Sequence, residues 1–252
     1  MPIDVHTDLR VLRAGALLAA GAWPAREQRE RAYQPHRVAL AAQRTFAVQA
    51  TGPEVVAADA AASVDLQTYW HDALTGEPPE LPGLADFIDQ HRADLSGAET
   101  DLAEVLAERD LTFLLMQLFA RPVLLAATPN LLFPGRTAIG VATAVDVVAI
   151  VPPPIAWGSS TPWRYSERPD ETLALVAQAF GSALVSDGSL DQVGAPIAPQ
   201  DRGAVPAAVA VLALRAFEGQ SAADQYQVLA RRTLGLTGLP TVVAALSEWL
   251  GQ

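Results

Sequence analysis

Residues 173–185 read "LALVAQAFGSALV", an apolar run broken by two polar side chains, Gln178 and Ser182, four positions apart. On a helix that spacing places the amide and the hydroxyl on one face. Pro169 with Asp170 and Glu171 makes a helix start, the acids lying at the positive end of the helix dipole. Glu171, Ala174, Gln178 and Ser182 then share a stripe, and Leu173, Val176, Phe180 and Leu184 lie opposite. Two readings fit the pattern. The stripe is the wet face of an ordinary amphipathic helix, or it lines a cleft. They differ in burial: a solvent stripe is open, a cleft residue enclosed.

Just before this helix, "RPVLLAAT" (121–128), "TAIGVAT" (137–143) and "VDVVAIVP" (145–152) are short apolar runs divided by Pro, Gly and Asn, and they read as strands. The flanking sequence is helical. The first helix is expected from Asp8 to about Ala20, and an arginine-rich stretch follows from Arg26. Pro53 opens a further helix over residues 53–74. Ser96 and Glu99 form a capping-box pattern before "GAETDLAEVLAE", and Asp110 starts "LTFLLMQLF". After a Gly- and Pro-rich loop (187–206) come "VPAAVAVLALRAF", "SAADQYQVLARR" and "LPTVVAALSEWL". The expectation is a single α+β domain over 1–252, predominantly helical. Its N-terminal helical part covers about 1–120, and a small central sheet is built from roughly 121–151.

Composition removes several function classes. Half of the 252 residues are hydrophobic and 18% are charged, as in a globular chain. The net charge of −11 argues against nucleic-acid binding, which uses a concentrated basic surface. All 17 basic residues are Arg. There is no cysteine, which excludes disulfides, thiolate metal sites and cysteine nucleophiles. "RVLRAGALLAAGAW" has the look of a signal peptide, but Asp4 and Asp8 spoil its basic leader, so it is read as retained. No run reaches the ~20 apolar residues that span a bilayer. A soluble cytoplasmic location is the expectation, with the oligomeric state left open.

The order of elements resembles that of the zincin-like, gluzincin-type metallopeptidases, in particular a group of uncharacterised bacterial zincin-like proteins. "ADFIDQHRADLSGAETDLAEVL" (85–106) resembles the family's middle helices, and "TPNLLFPGRTAIGVATAVDVVAIVPPP" (128–154) its strand region. "LALVAQAFGSALV" falls where the HExxH helix belongs, and "GLTGLPTVVAALSEWL" (235–250) resembles the closing helix. On that pattern the two zinc-binding histidines correspond to Ala177 and Gly181, and the general-base glutamate to Gln178. HExxH needs two imidazoles on one helix face and a carboxylate to activate the metal-bound water. Alanine and glycine ligate nothing, and glutamine takes up no proton. The downstream "VPAAVAVLALRA" offers no acid as a third ligand.

The resemblance therefore implies a zincin-like fold that has lost its zinc site, with no catalytic residue, metal or cofactor. Its expected function is non-catalytic binding of a protein or peptide in the former cleft. Zincins pair an extended peptide with an edge strand, for which residues 137–151 are the candidate here. The alternative is a metal-independent hydrolase or small-ligand-binding protein built on the 157–171 loop, with Ser159, Ser160 and Arg168 as further candidates there. Candidate cleft residues across both readings are Glu171, Gln178, Ser182, Arg164, Tyr165 and Glu167. His6, His36, His71 and His91 show no ligand spacing. His71 beside Asp72 in "YWHD" is better explained by packing of Tyr69 and Trp70.

Overall fold

The computed structural model describes residues 2–23, 35–77, 79–132, 137–154 and 162–251. The arginine-rich stretch expected to be helical from Arg26 lies outside them as far as residue 34. β1 (Asp4–Val5) leads into α1 (Leu9–Ala20), which starts where the sequence places it. Asp8 caps it by accepting from the Arg10 amide at 2.7 Å, and its own amide donates to Thr128 Oγ1 at 3.2 Å, fixing the helix start to the sheet.

α2 (Arg37–Phe46), α3 (Pro53–Val64) and α4 (Leu66–Thr75) follow. The single helix expected over 53–74 is two. Asp65 leaves the helical region (φ −153°, ψ 105°), and its carboxylate caps α4 by accepting from the Gln67 amide at 3.0 Å. α5 (Leu84–Gln90) ends at His91, and α6 (Arg92–Glu108) begins one residue later. The capping box expected at Ser96 and Glu99 is thus not a helix start. Both residues lie within α6, and the Glu99 carboxylate accepts from the Thr7 amide at 2.8 Å. α7 (Thr112–Leu118) follows Asp110, whose carboxylate accepts from the Thr112 amide.

The sheet has four strands in the order β1, β2 (Leu124–Pro129), β4 (Asp146–Val151), β3 (Ile139–Ala142). β1, β2 and β4 run parallel, and β3 pairs antiparallel at one edge, Gly140 opposite Ala149. β1 lies outside the expected 121–151 span. The architecture is predominantly helical α+β, as the sequence implies.

Strand alternation decides which side each residue serves. Ala126, Val148 and Ile150 pack with Val11, Leu18 and Trp70 on one face. Ala127, Val147 and Ala149 join Val176, Phe180 and Val209 on the other. With helices on both faces the strands are buried on both sides, which is why they read as continuous apolar runs.

That second face is covered by α8 (Pro169–Ser186) and α10 (Val205–Phe217), separated by the short α9 (Ser189–Gln192). α11 (Gln220–Leu234) and α12 (Leu239–Trp249) close the chain. Two glycines set how closely α8 packs. A Cβ on Gly140 would lie 1.8 Å from the Ala179 carbonyl oxygen, so β3 rests directly on the α8 backbone. A Cβ on Gly181 would lie 2.6 Å from Pro206 Cα, so α8 and α10 meet backbone to backbone there. Among the described residues, no helix is long and apolar enough to cross a membrane.

Candidate functional site

α8 is buried nearly all round: Leu173, Val176, Phe180 and Leu184 are sealed, and so are Ala177, Ala179 and Gly181. The polar stripe is half-buried. It is neither a wet face nor a filled core, and each of its members has a different task.

Glu171 and Gln178 border a cavity of about 380 Å³ between α8, α10 and α11. The volume is in the range of small-molecule pockets. The walls are apolar along Ala174, Leu175, Leu214 and Leu229, with Tyr226 facing Gln178. Gln178 Nε2 donates to the Tyr226 hydroxyl oxygen. Burial pushes the Tyr226 phenol up to about 12, against the opposing effect of the Gln178 hydrogen bond, so it is a neutral O–H at every physiological pH. Two helical turns toward the N-terminus, the Glu171 carboxylate is held by Arg168, and Arg168 Nε lies 3.8 Å from Asp170. Burial raises the Glu171 carboxyl above the ordinary range, opposed by the Arg168 charge and reinforced by Asp170.

Ser182 faces a second hollow of about 430 Å³, bounded by α4, the start of β3 and α10, with Gln178 in its wall as well. The Ser182 hydroxyl accepts from the Gly140 amide at 2.9 Å and donates to the Ala179 carbonyl at 2.8 Å. The Gly140 carbonyl accepts from Gln67 Nε2 at 2.6 Å. The centre of β3, in the 137–151 region expected to take a peptide, thus has both backbone polar groups already engaged by side chains. Open edges are commonly covered in this way. Adding a strand there requires displacing Gln67 and Ser182.

Arg164 and Tyr165 are not part of the α8 cavity. They border a third hollow of about 260 Å³ with His36, Asp94 and Asp101. Arg164 Nη2 donates to the buried Asp101 carboxylate at 3.2 Å, which also accepts from the Ser166 amide at 3.3 Å. The Tyr165 hydroxyl, sealed in the core, donates to the Val151 carbonyl at 2.7 Å. Glu167 accepts from the Arg164 amide at 3.0 Å and caps its own turn. These groups pin the segment before α8 to α6 and β4. Ser159 and Ser160 lie outside the described residues. Of the six candidate cleft residues, Glu171 and Gln178 share a cavity, Ser182 lies behind Gln178, Arg164 and Tyr165 border a different hollow, and Glu167 caps the turn before α8.

Ala177 and Gly181, where the resemblance would place two imidazoles, are both buried, Gly181 against Pro206 of α10. Zinc does not fit here. Neither residue has a donor atom, and a side chain at 181 would have to pass through the α10 backbone. Among the described residues, no three His, Cys, Asp or Glu side chains come together to hold a metal ion. His71 lies 3.4 Å from Asp72 on the surface, and His36 caps α2 through Nδ1.

Tyr226 escapes a reading of the sequence, as do Leu214 and Leu229. The one signal available was an isolated aromatic in the otherwise polar "SAADQYQVLARR". No family model matches this chain, and neither a curated protein nor a solved structure does.

Proposed function

We propose that this chain is a non-catalytic binding protein on a zincin-like frame, in which the helix that would carry HExxH lines a small-molecule cavity instead of a metal site. The observation that carries this is the division of α8 into two faces. Position 177 is sealed in the core and position 181 is consumed by packing against α10, whereas position 178 turns an amide into a cavity of about 380 Å³. The zincin part of the reading is supported by the mixed sheet, whose antiparallel edge strand β3 lies along α8.

The expected peptide partner at 137–151 gives way to a small ligand in this reading, because the backbone of Gly140 is occupied. A hydrolytic role has one observation in its favour, the raised Glu171 carboxyl at the cavity wall. Its charge is already committed to Arg168.

A thermal-shift screen of small amphipathic molecules tests the proposal. Compounds that stabilise the protein are expected to lose their effect in Ala222→Trp, which fills the cavity from the α11 side. Hits indifferent to that substitution, or a screen that is silent throughout, would overturn it.

A further inference from the structure

The Gln178–Tyr226 pair has hydrogen-bonding capacity left over. Gln178 gives one amide proton to the Tyr226 oxygen. The Tyr226 proton, the second Gln178 N–H and the Gln178 carbonyl then remain, two donors and one acceptor. Turning the amide over, so that Tyr226 donates to it, gives the same balance, with both N–H groups of Gln178 as donors and the Tyr226 oxygen as acceptor. The wall is apolar along Leu175, Leu214 and Leu229, and Arg168, Asp170, Glu171 and Gln225 complete its polar lining. Glu171 lies roughly 10 Å from Gln178 along the helix, seven residues at 1.5 Å each, where it and Asp170 are both paired with Arg168.

We propose that the cavity takes a small neutral molecule with an apolar body and an amide head, a carboxamide or lactam whose C=O accepts from Tyr226 and whose N–H donates to Gln178. This rests on the reading of the cavity as the binding site. A carboxylate head has no proton for the Gln178 carbonyl, and an ammonium head has no acceptor for the Tyr226 proton. Either would also give up part of its hydration, and the charges of this cavity, Arg168, Asp170 and Glu171, are already paired with one another. An ester satisfies Tyr226 but leaves the Gln178 carbonyl unpaired. An amide satisfies both and carries no charge to desolvate. Sites that hydrogen-bond a ligand discriminate strongly against analogues lacking the bonding group, because their own polar atoms are then stranded.

The test is a matched series on one ring: cyclohexanecarboxamide, its methyl ester analogue, cyclohexanecarboxylate and cyclohexylmethylammonium, titrated by calorimetry or ligand-observed NMR. The amide is expected to bind about tenfold tighter than the ester, one hydrogen bond's worth, and tighter than either ion by more. In Tyr226→Phe the amide falls to the level of the ester. Gln178→Leu gives the same readout through the other member of the pair, should the melting curve of Tyr226→Phe show a disturbed fold. Equal binding of amide and ester, tighter binding of an ion, or an amide preference that survives both substitutions would overturn the head-group assignment while leaving the cavity as a binding site. Absence of binding by all four probes would overturn both.

Discussion

Gln178 of α8 donates through Nε2 to the hydroxyl of Tyr226 on α11, across a gap that the two helices leave open on either side. Gln178 borders both hollows, and Tyr226 borders the cavity between α8, α10 and α11. Because the cavity admits solvent to both partners, removing one leaves the other hydrated. Tyr226→Phe is therefore expected to cost only about 0.5–1.5 kcal/mol in urea denaturation. A loss above about 3 kcal/mol would mean that the pair is sealed core and that the cavity is unavailable to a ligand.

Gly140 is the tightest point of the fold. Its missing side chain admits the Ala179 carbonyl, which a Cβ would meet at 1.8 Å. Gly140→Ala is expected to destabilise by about 3 kcal/mol or more, since both crowding elements are backbone and neither can yield by a rotamer change. Circular dichroism melts measure this directly, and a near-neutral result would mean that β3 does not rest on α8.

Ser182 and Gln67 close the edge of β3 at Gly140. Ser182→Ala strands a half-buried amide and is expected to cost about 1–2 kcal/mol. The double substitution with Gln67→Ala opens the edge, and slow self-association in light scattering is the expected consequence. A double variant as monodisperse as the parent would show that α8 alone protects the strand.

Glu171 gives the cavity a pH signature. Its folded-state pKa lies above the ordinary glutamate value of 4.5, burial being the main cause. The folded state thus binds this proton more readily than the unfolded chain. The associated stability is fully present below about pH 4.5 and is lost as pH rises through the raised folded value. Relative to Glu171→Gln, the parent is expected to gain stability as pH falls from neutrality into that window. A relative loss over the same range would place the carboxylate in a solvated or strongly paired setting.

How far the sequence carries depends on whether the determining interaction is local. Asp8 as an N-cap, the three strand runs and the burial of one α8 face follow from neighbours within a few residues. β1 does not, because Asp4 and Val5 are too few to show alternation and pair only through Ala126 and Ala127. The helix break at Asp65 hides in "SVDLQ", where a continuing helix and a capped restart look alike. Ser96 and Glu99 mislead for the opposite reason, since a polar pair three apart suits a helix interior as well as its start. The cavity is the least legible feature. Gln178 and Tyr226 are 48 residues apart and meet only once α11 has packed against α8. Likewise, the close packing of Gly181 depends on Pro206, which no spacing within α8 reveals.

Packing at Gly181 also predicts the fate of an attempt to rebuild the motif. The double substitution Ala177→His and Gly181→His is expected to yield unstable protein without zinc-dependent stabilisation, because the new imidazoles have to enter the α8–α10 contact. A folded variant whose melting temperature rises with zinc would show that α10 can move aside.

Elemental analysis of the purified parent chain, before and after incubation with zinc and removal of the excess, tests the metal-free account most directly. The account predicts no stoichiometric metal in either sample. About one tightly held zinc per chain would contradict it, since a metal site would then exist outside the face of α8 that Ala177 and Gly181 have closed.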